Sequence, residues 1–178
     1  MLGFITRSTK DFSDSISFKV LYCSLVRSIL EFSSCTWNPI YSYHSGRIEK
    51  IQHRALRILG RKARSLELSY QSLERSFNLL PLSIRREMYD IITLYNILNS
   101  KIDTPELLQS VNINVPGYVT TRSTMPFRPP FVRTNYLQNS PIIRFQRSAN
   151  LIREHLDLFF TSASAIKQFY LNQLEETG

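Results

Sequence analysis

Apolar residues recur every three or four positions along most of this chain, and the interruptions of that period divide it into helices. Phe18, Leu21, Tyr22, Leu25, Ile29 and Phe32 carry the period from Ser13 to Phe32, behind Asp11, Ser13 and Asp14 as capping residues. An end is predicted near Ser33 and Ser34, because Pro39 biases Asn38 away from helical geometry. Ile48, Ile51, Ala55, Ile58 and Leu59 mark a second helix over His44 to Leu59, with Gly60 as its end signal. A shorter helix is predicted over Ser69 to Phe77. Pro81 then opens a longer one, with Ile84, Met88, Ile91, Tyr95 and Leu98 as its buried stripe and Asn99-Ser100 as its close. Asp103-Thr104-Pro105-Glu106 starts another short helix that reaches about Val111.

The pattern changes after Val111. Residues 112–143 contain Pro116, Gly117, Pro126, Pro129, Pro130 and Pro141 and keep no helical period. No Asp or Glu occurs from Asn112 to Asn150, whereas Arg122, Arg128, Arg133, Arg144 and Arg147 do. Tyr118, Phe127, Phe131 and Tyr136 argue against full disorder, so extended chain laid over a surface, with a short strand or two, is expected. Helical spacing returns with Ile142, Phe145, Ala149, Ile152 and Leu156 over Pro141 to Leu158. A last helix over Ser162 to Leu174 turns Ala165, Ile166, Phe169 and Tyr170 inward. No repeat of fixed period is present. The expected fold class is mainly α: a helical bundle over residues 1–111, and a C-terminal extension over 112–178 with an irregular arm at 112–140 and helices at 141–174.

Composition narrows the chemistry. A chain of 178 residues with 43% hydrophobic content can bury a core, as one domain or as one domain with an appended subdomain. No apolar run approaches the roughly 20 residues that span a bilayer, and the N-terminus lacks a signal-peptide pattern, so an intracellular place, in nucleus or cytoplasm, is expected. Cys23 and Cys35 are too few for a disulfide framework. Together with His44 and His53 they lack the short paired spacing of a zinc site, and neither metal nor cofactor is expected. The carboxylates are scattered, and no nucleophile motif accompanies His44, His53 or His155. The five glycines are dispersed and form no phosphate loop. The chain as given reads as non-catalytic.

Charge supplies the one positive lead. The formal net charge is +8 and the isoelectric point about 9.7, which favours an acidic partner. Arg47, Lys50, Arg54, Arg57, Arg61 and Arg64 recur at steps of three and four, and a helix gathers such a series into about one quadrant beside a separate apolar face. An end at Gly60 would leave Arg61 and Arg64 as loop contacts. The arm adds Arg122, Arg128 and Arg133 among aromatics, a mixture suited to phosphate contact and base stacking. These nine residues are the candidate nucleic-acid-binding set. The competing reading of the stripe is a solvated helix face, and that of the arm is aromatics packed on the body with arginines left in water.

Five stretches also resemble one family. They are LGFITRSTKDFSD from Leu2 to Asp14, LYCSLVRSILEFSSCTWNP from Leu21 to Pro39, and RIEKIQHRALR from Arg47 to Arg57. LPLSIRREMYDIITLYNILNSKIDTPELL comes next, from Leu80 to Leu108, and RTNYLQNSPIIRF last, from Arg133 to Phe145. In order and spacing, the series resembles the C-terminal part of the reverse transcriptase of non-LTR retrotransposons, in jockey-like and related insect elements. The resemblance implies a helical thumb over residues 1–111 that packs on the minor-groove side of a template–primer duplex, with the helix at Arg47 to Leu59 as a thumb element. The palm, with its Phe/Tyr-Ala-Asp-Asp aspartates, the fingers, any endonuclease and the cysteine–histidine motif of some relatives are not in this sequence. The resemblance therefore implies a non-catalytic fragment of an RNA-directed DNA polymerase. Its partners would be RNA or an RNA–DNA or DNA duplex, and the missing palm and fingers, with no membrane. The alternative is a helical structural or interaction relic of a mobile element with no nucleic-acid role.

Overall fold

In a computed structural model the chain is described over residues 1–11, 14–65, 69–115 and 125–176. It is mainly helical, with no strand among the described residues. The helices are α1 (Leu2–Ser8), α2 (Ser15–Tyr22), α3 (Ser28–Glu31), α4 (Ser34–Trp37), α5 (Ser42–Lys62), α6 (Tyr70–Ser76), α7 (Leu82–Leu98), α8 (Pro105–Gln109), α9 (Asn135–Gln138), α10 (Pro141–Ile152) and α11 (Ala163–Glu176). Contacts group the chain into two compact units: Met1–Arg86 with the stretch from Leu171 onward, and Glu87–Tyr170. The division lies inside α7, and the boundary expected at 111/112 falls within the second unit.

In the first unit, α1, α2 and α6 pack on α5 or on each other. Ile5, Phe18, Tyr22, Val26, Ala55, Leu56, Leu59, Leu73 and Leu79 form the buried cluster. Asp14 caps α2, accepting the backbone N–H groups of Ile16 and Ser17 at 3.0 Å each. A π turn over Cys23–Arg27 then joins α2 to α3 without a break. Its wider i→i+5 spacing offsets the drift of residues four apart, so Phe18, Tyr22 and Val26 are all buried. The turn also re-phases α3. Leu25, Ile29 and Phe32, predicted to face inward, are 40%, 62% and 79% exposed.

α5 runs through Gly60 instead of stopping there. Gly60 is buried, and a Cβ in its place would lie 3.1 Å from Leu73 Cδ2, so the glycine serves the close approach of α6. The stop is Arg64, at φ 52°, where Ser65 N–H bonds to the Gly60 carbonyl at 3.0 Å. α6 and α7 end the same way, on Asn78 at φ 48° and Ser100 at φ 51°. Three helices thus close with the left-handed turn usually given to glycine, on other residues. Pro81 precedes α7, and its carbonyl accepts Arg85 N–H at 3.0 Å. The side chain of Glu49, on α5, caps α7 by accepting Leu82 N–H at 3.0 Å and Ser83 N–H at 3.3 Å.

Polar groups fix how α5 is seated. Gln52 is fully buried; it accepts from the Tyr22 hydroxyl at 3.1 Å and donates to the Leu80 carbonyl at 2.9 Å. Arg86, 1% exposed, donates from Nε to Asn38 Oδ1 at 3.0 Å and from Nη2 to Ser45 Oγ at 2.7 Å. Arg85 pairs with Glu31.

The second unit is organised by α10. Gln146 and Asn150, one turn apart, are both buried. Asn150 accepts Phe127 N–H at 3.1 Å and donates to the Phe127 carbonyl at 2.9 Å, as a neighbouring strand would. Gln146 accepts Asn112 N–H at 3.1 Å. Of the short strand or two expected in the arm, the described residues hold one antiparallel bridge, between Ile113 and Phe127. Arg144 is no loose arginine of the arm. It grips Asp90, 1% exposed, through two hydrogen bonds of 2.7 and 3.1 Å, and donates to the Asn139 carbonyl at 3.0 Å. The Tyr170 hydroxyl donates to Glu87 Oε1 at 3.2 Å, and burial raises the pKa of both groups. α10 ends at Ile152, short of the predicted Leu158, and Ala165 of α11 faces solvent.

Replacing Gln52 by Leu leaves buried partners unsatisfied and should cost about 3 kcal/mol in a denaturant titration, against about 1 kcal/mol for Tyr22→Phe. Arg144→Met strands the buried Asp90 carboxylate and should cost about 3–5 kcal/mol. Arg133→Met, at an exposed position, should stay within about 0.5 kcal/mol.

Candidate nucleic-acid interface

The stripe is one face of α5. Arg47, Lys50, Arg54, Arg57 and Arg61 all lie within Ser42–Lys62, and all are exposed. From Arg47 to Arg61 they extend about 21 Å at 1.5 Å per residue. Arg61 is therefore a helix residue and not a loop contact, while Arg64 is exposed on the turn that closes the helix. The opposite face carries the core residues Ala55, Leu56 and Leu59, with Gln52 among them.

None of these six cations is in an ion pair with a carboxylate among the described residues. The carboxylate partners go to other arginines: Glu31 to Arg27 and Arg85, Asp90 to Arg144, Glu154 to Arg153. The stripe's own contacts leave its charge uncompensated. The Arg57 guanidinium lies 5.1 Å over the Tyr70 ring, and that of Arg47 6.0 Å over Tyr43. Arg61 Nε donates to the Arg57 carbonyl at 3.3 Å. Lys62, on a different face, is tied to the Thr9 carbonyl.

Tyr43 belongs with this face, although its sequence context gave no hint beyond spacing. It sits one turn before Arg47, extends the same three-and-four series and is 69% exposed. Tyr41, 64% exposed, precedes it. The other candidates divide. Arg128 and Arg133 are exposed but belong to the second unit, and Arg122 lies outside the described residues.

Beside the stripe, α5 and α6 bring three further groups together. Glu49, His53 and Glu74 each offer a ligand atom, and these atoms lie within 4.8 Å of one another. The spacing of Cys23, Cys35, His44 and His53 gives no sign of this grouping, because two of its members are carboxylates and one comes from another helix. The four-residue step from Glu49 to His53 was its legible half. His53 stacks on Tyr70 at 4.0 Å with an interplanar angle of 9°. Glu74 is 6% exposed, and burial, then the neighbouring Glu49, push its pKa up to about 7, against a hydrogen bond from Gln52 that lowers it.

No family model, curated protein or solved structure matches the chain. No helix among the described residues is long and apolar enough to cross a membrane.

The raised pKa of Glu74 has a fixed sign in stability. Below about pH 4.5 the group is protonated folded or unfolded, and its burial costs nothing extra. Between 4.5 and about 7 the unfolded chain ionises while the folded one keeps its proton, so stability is lost as pH rises through this window. With a chelator in every buffer, the denaturation midpoint should fall from pH 5 to 7.5, and Glu74→Gln should flatten that fall.

Proposed function

We propose that this chain is the thumb and downstream part of a non-LTR retrotransposon reverse transcriptase, holding RNA, an RNA–DNA hybrid or a DNA duplex by its phosphate backbone along α5. The chain itself is not catalytic in this reading; the palm and fingers of the parent polymerase are its protein partners, and it works in the nucleus or cytoplasm. The reading rests on the five resembling stretches for the family. For the interface, one observation carries it: a row of exposed cations on a single helix, none of them in an ion pair with a carboxylate among the described residues. Such a row suits a regular line of phosphates, which positions a duplex without reading its sequence. The exposed rings of Tyr41 and Tyr43 add apolar surface for sugars or frayed bases at one end of the row.

A second reading draws on Ile16, Val20, Ile29 and Phe32, which are 59–79% exposed on α2, α3 and the turn after them. Apolar surface of this kind favours a protein-contact role, and in the relic reading it is the only role. Self-association with salt-insensitive nucleic-acid binding would select that reading.

Fluorescence anisotropy with a labelled RNA–DNA hybrid across a salt series tests the proposal. Four to six phosphate contacts give a log–log slope of roughly −4 to −5. Changing Arg47, Arg54 and Arg57 together to Gln should weaken binding alike on unrelated sequences and make the slope shallower by roughly 2.7. A flat salt response, or an unchanged triple variant, would retire the interface. Primer extension by the chain alone with a divalent metal would overturn its non-catalytic character.

A further inference from the structure

We infer that Glu49, His53 and Glu74 form a binding site for one divalent transition-metal ion of the Zn²⁺ class, seated between α5 and α6. The ligand atoms already lie within 4.8 Å of one another. Bonds of about 2.0–2.2 Å to a shared ion would hold them about 3–4 Å apart, so small side-chain torsions close the set.

Each ligand is oriented by something else. Both oxygens of Glu49 accept backbone N–H groups at the start of α7, at 3.0 and 3.3 Å, which fixes the carboxylate while leaving lone pairs for an ion. Stacking on Tyr70 sets the plane of the His53 ring. Glu74 is carried on α6, whose approach to α5 is made close by Gly60 against Leu73. Neither carboxylate is in an ion pair with an Arg or Lys among the described residues, and Glu74 is only 6% exposed. Two carboxylates converging without a cation where Glu74 is buried and Glu49 half-buried is costly; an ion of charge +2 offsets that cost. The donor set selects the class. One imidazole nitrogen with two carboxylate oxygens suits Zn²⁺ and its neighbours, whereas Mg²⁺ and Ca²⁺ favour oxygen alone. Water would complete the coordination. The ion would staple α5 to α6 and, through Glu49, to the start of α7.

The full-length chain, stripped with a chelator and dialysed, is titrated with ZnCl₂ in a calorimeter. One ion per chain is expected, at a dissociation constant in the micromolar range or tighter. His53→Gln and Glu74→Gln should each weaken it by at least roughly tenfold, while His155→Gln leaves it unchanged. Millimolar Mg²⁺ should not compete. Absence of a 1:1 event below about 1 mM Zn²⁺, or binding unaltered in His53→Gln, would overturn the site. If either variant fails to fold by circular dichroism, the unmodified chain decides the matter by NMR: Zn²⁺ should shift the imidazole signals of His53 and spare those of His44 and His155. A response at either of those residues with His53 silent would also overturn it.

Discussion

The side-chain amide of Gln52 is wholly buried and has little freedom left. Its oxygen takes the Tyr22 hydroxyl, one amide hydrogen is given to the Leu80 carbonyl, and Glu74 is hydrogen-bonded by the same side chain. Three neighbouring segments therefore agree on the rotation of α5 about its own axis: α2 through Tyr22, α6 through Glu74, and the turn before α7 through Leu80. Hydrophobic burial would tolerate a small rotation of a helix, because apolar contact is non-directional. A buried amide would not, since every lost partner leaves an unsatisfied group. Fixing that rotation decides which residues of α5 meet water. With Gln52 inward, the series from Tyr43 to Arg61 must face out.

The same economy of partners bears on where the positive charge of a chain of net charge +8 is matched and where it is not. Arginines in the interior are matched individually: Arg85 by Glu31, Arg144 by Asp90, and Arg86 by the neutral oxygens of Asn38 and Ser45. Planar guanidinium groups suit these forked contacts, and their removal would strand buried acceptors. Glu49 is committed to the first N–H groups of α7. With these acids engaged elsewhere, the cations on the outer face of α5 remain uncompensated. Their availability is thus a consequence of how the interior is satisfied.

The legibility of the sequence divides along the same line between periodic and directional forces. Period 3.6 located the long helices, and Asp14, Ser69 and Thr104 were readable as starts. One end was misread where glycine was the expected marker, because Gly60 serves helix contact and Arg64 takes the left-handed turn, whereas the close of α7 at Asn99-Ser100 was legible and Ser100 does take that turn. The π turn was invisible to any fixed period, and it moved Ile29 and Phe32 to the surface. The amide clamps of Gln146 and Asn150 on the arm have no periodic signature at all. Of the candidate interface, the row on α5 was legible as a period. The identity of Arg144 as an interior ion pair was not, since Asp90 lies 54 residues away.

The row on α5 and the Glu49–His53–Glu74 grouping are neighbours of opposite character, and their separation is a matter of burial. Long cationic side chains at the helix surface extend into water, where a Debye length of about 8 Å at physiological salt screens them from groups further in. Glu74, carried on α6, is buried and feels mainly that burial and Glu49. A single helix can therefore present a field that attracts phosphate on one face and a carboxylate–imidazole grouping on the next. The condition is that the rotation of the helix is held to within a fraction of a turn, which is the constraint that Gln52 supplies.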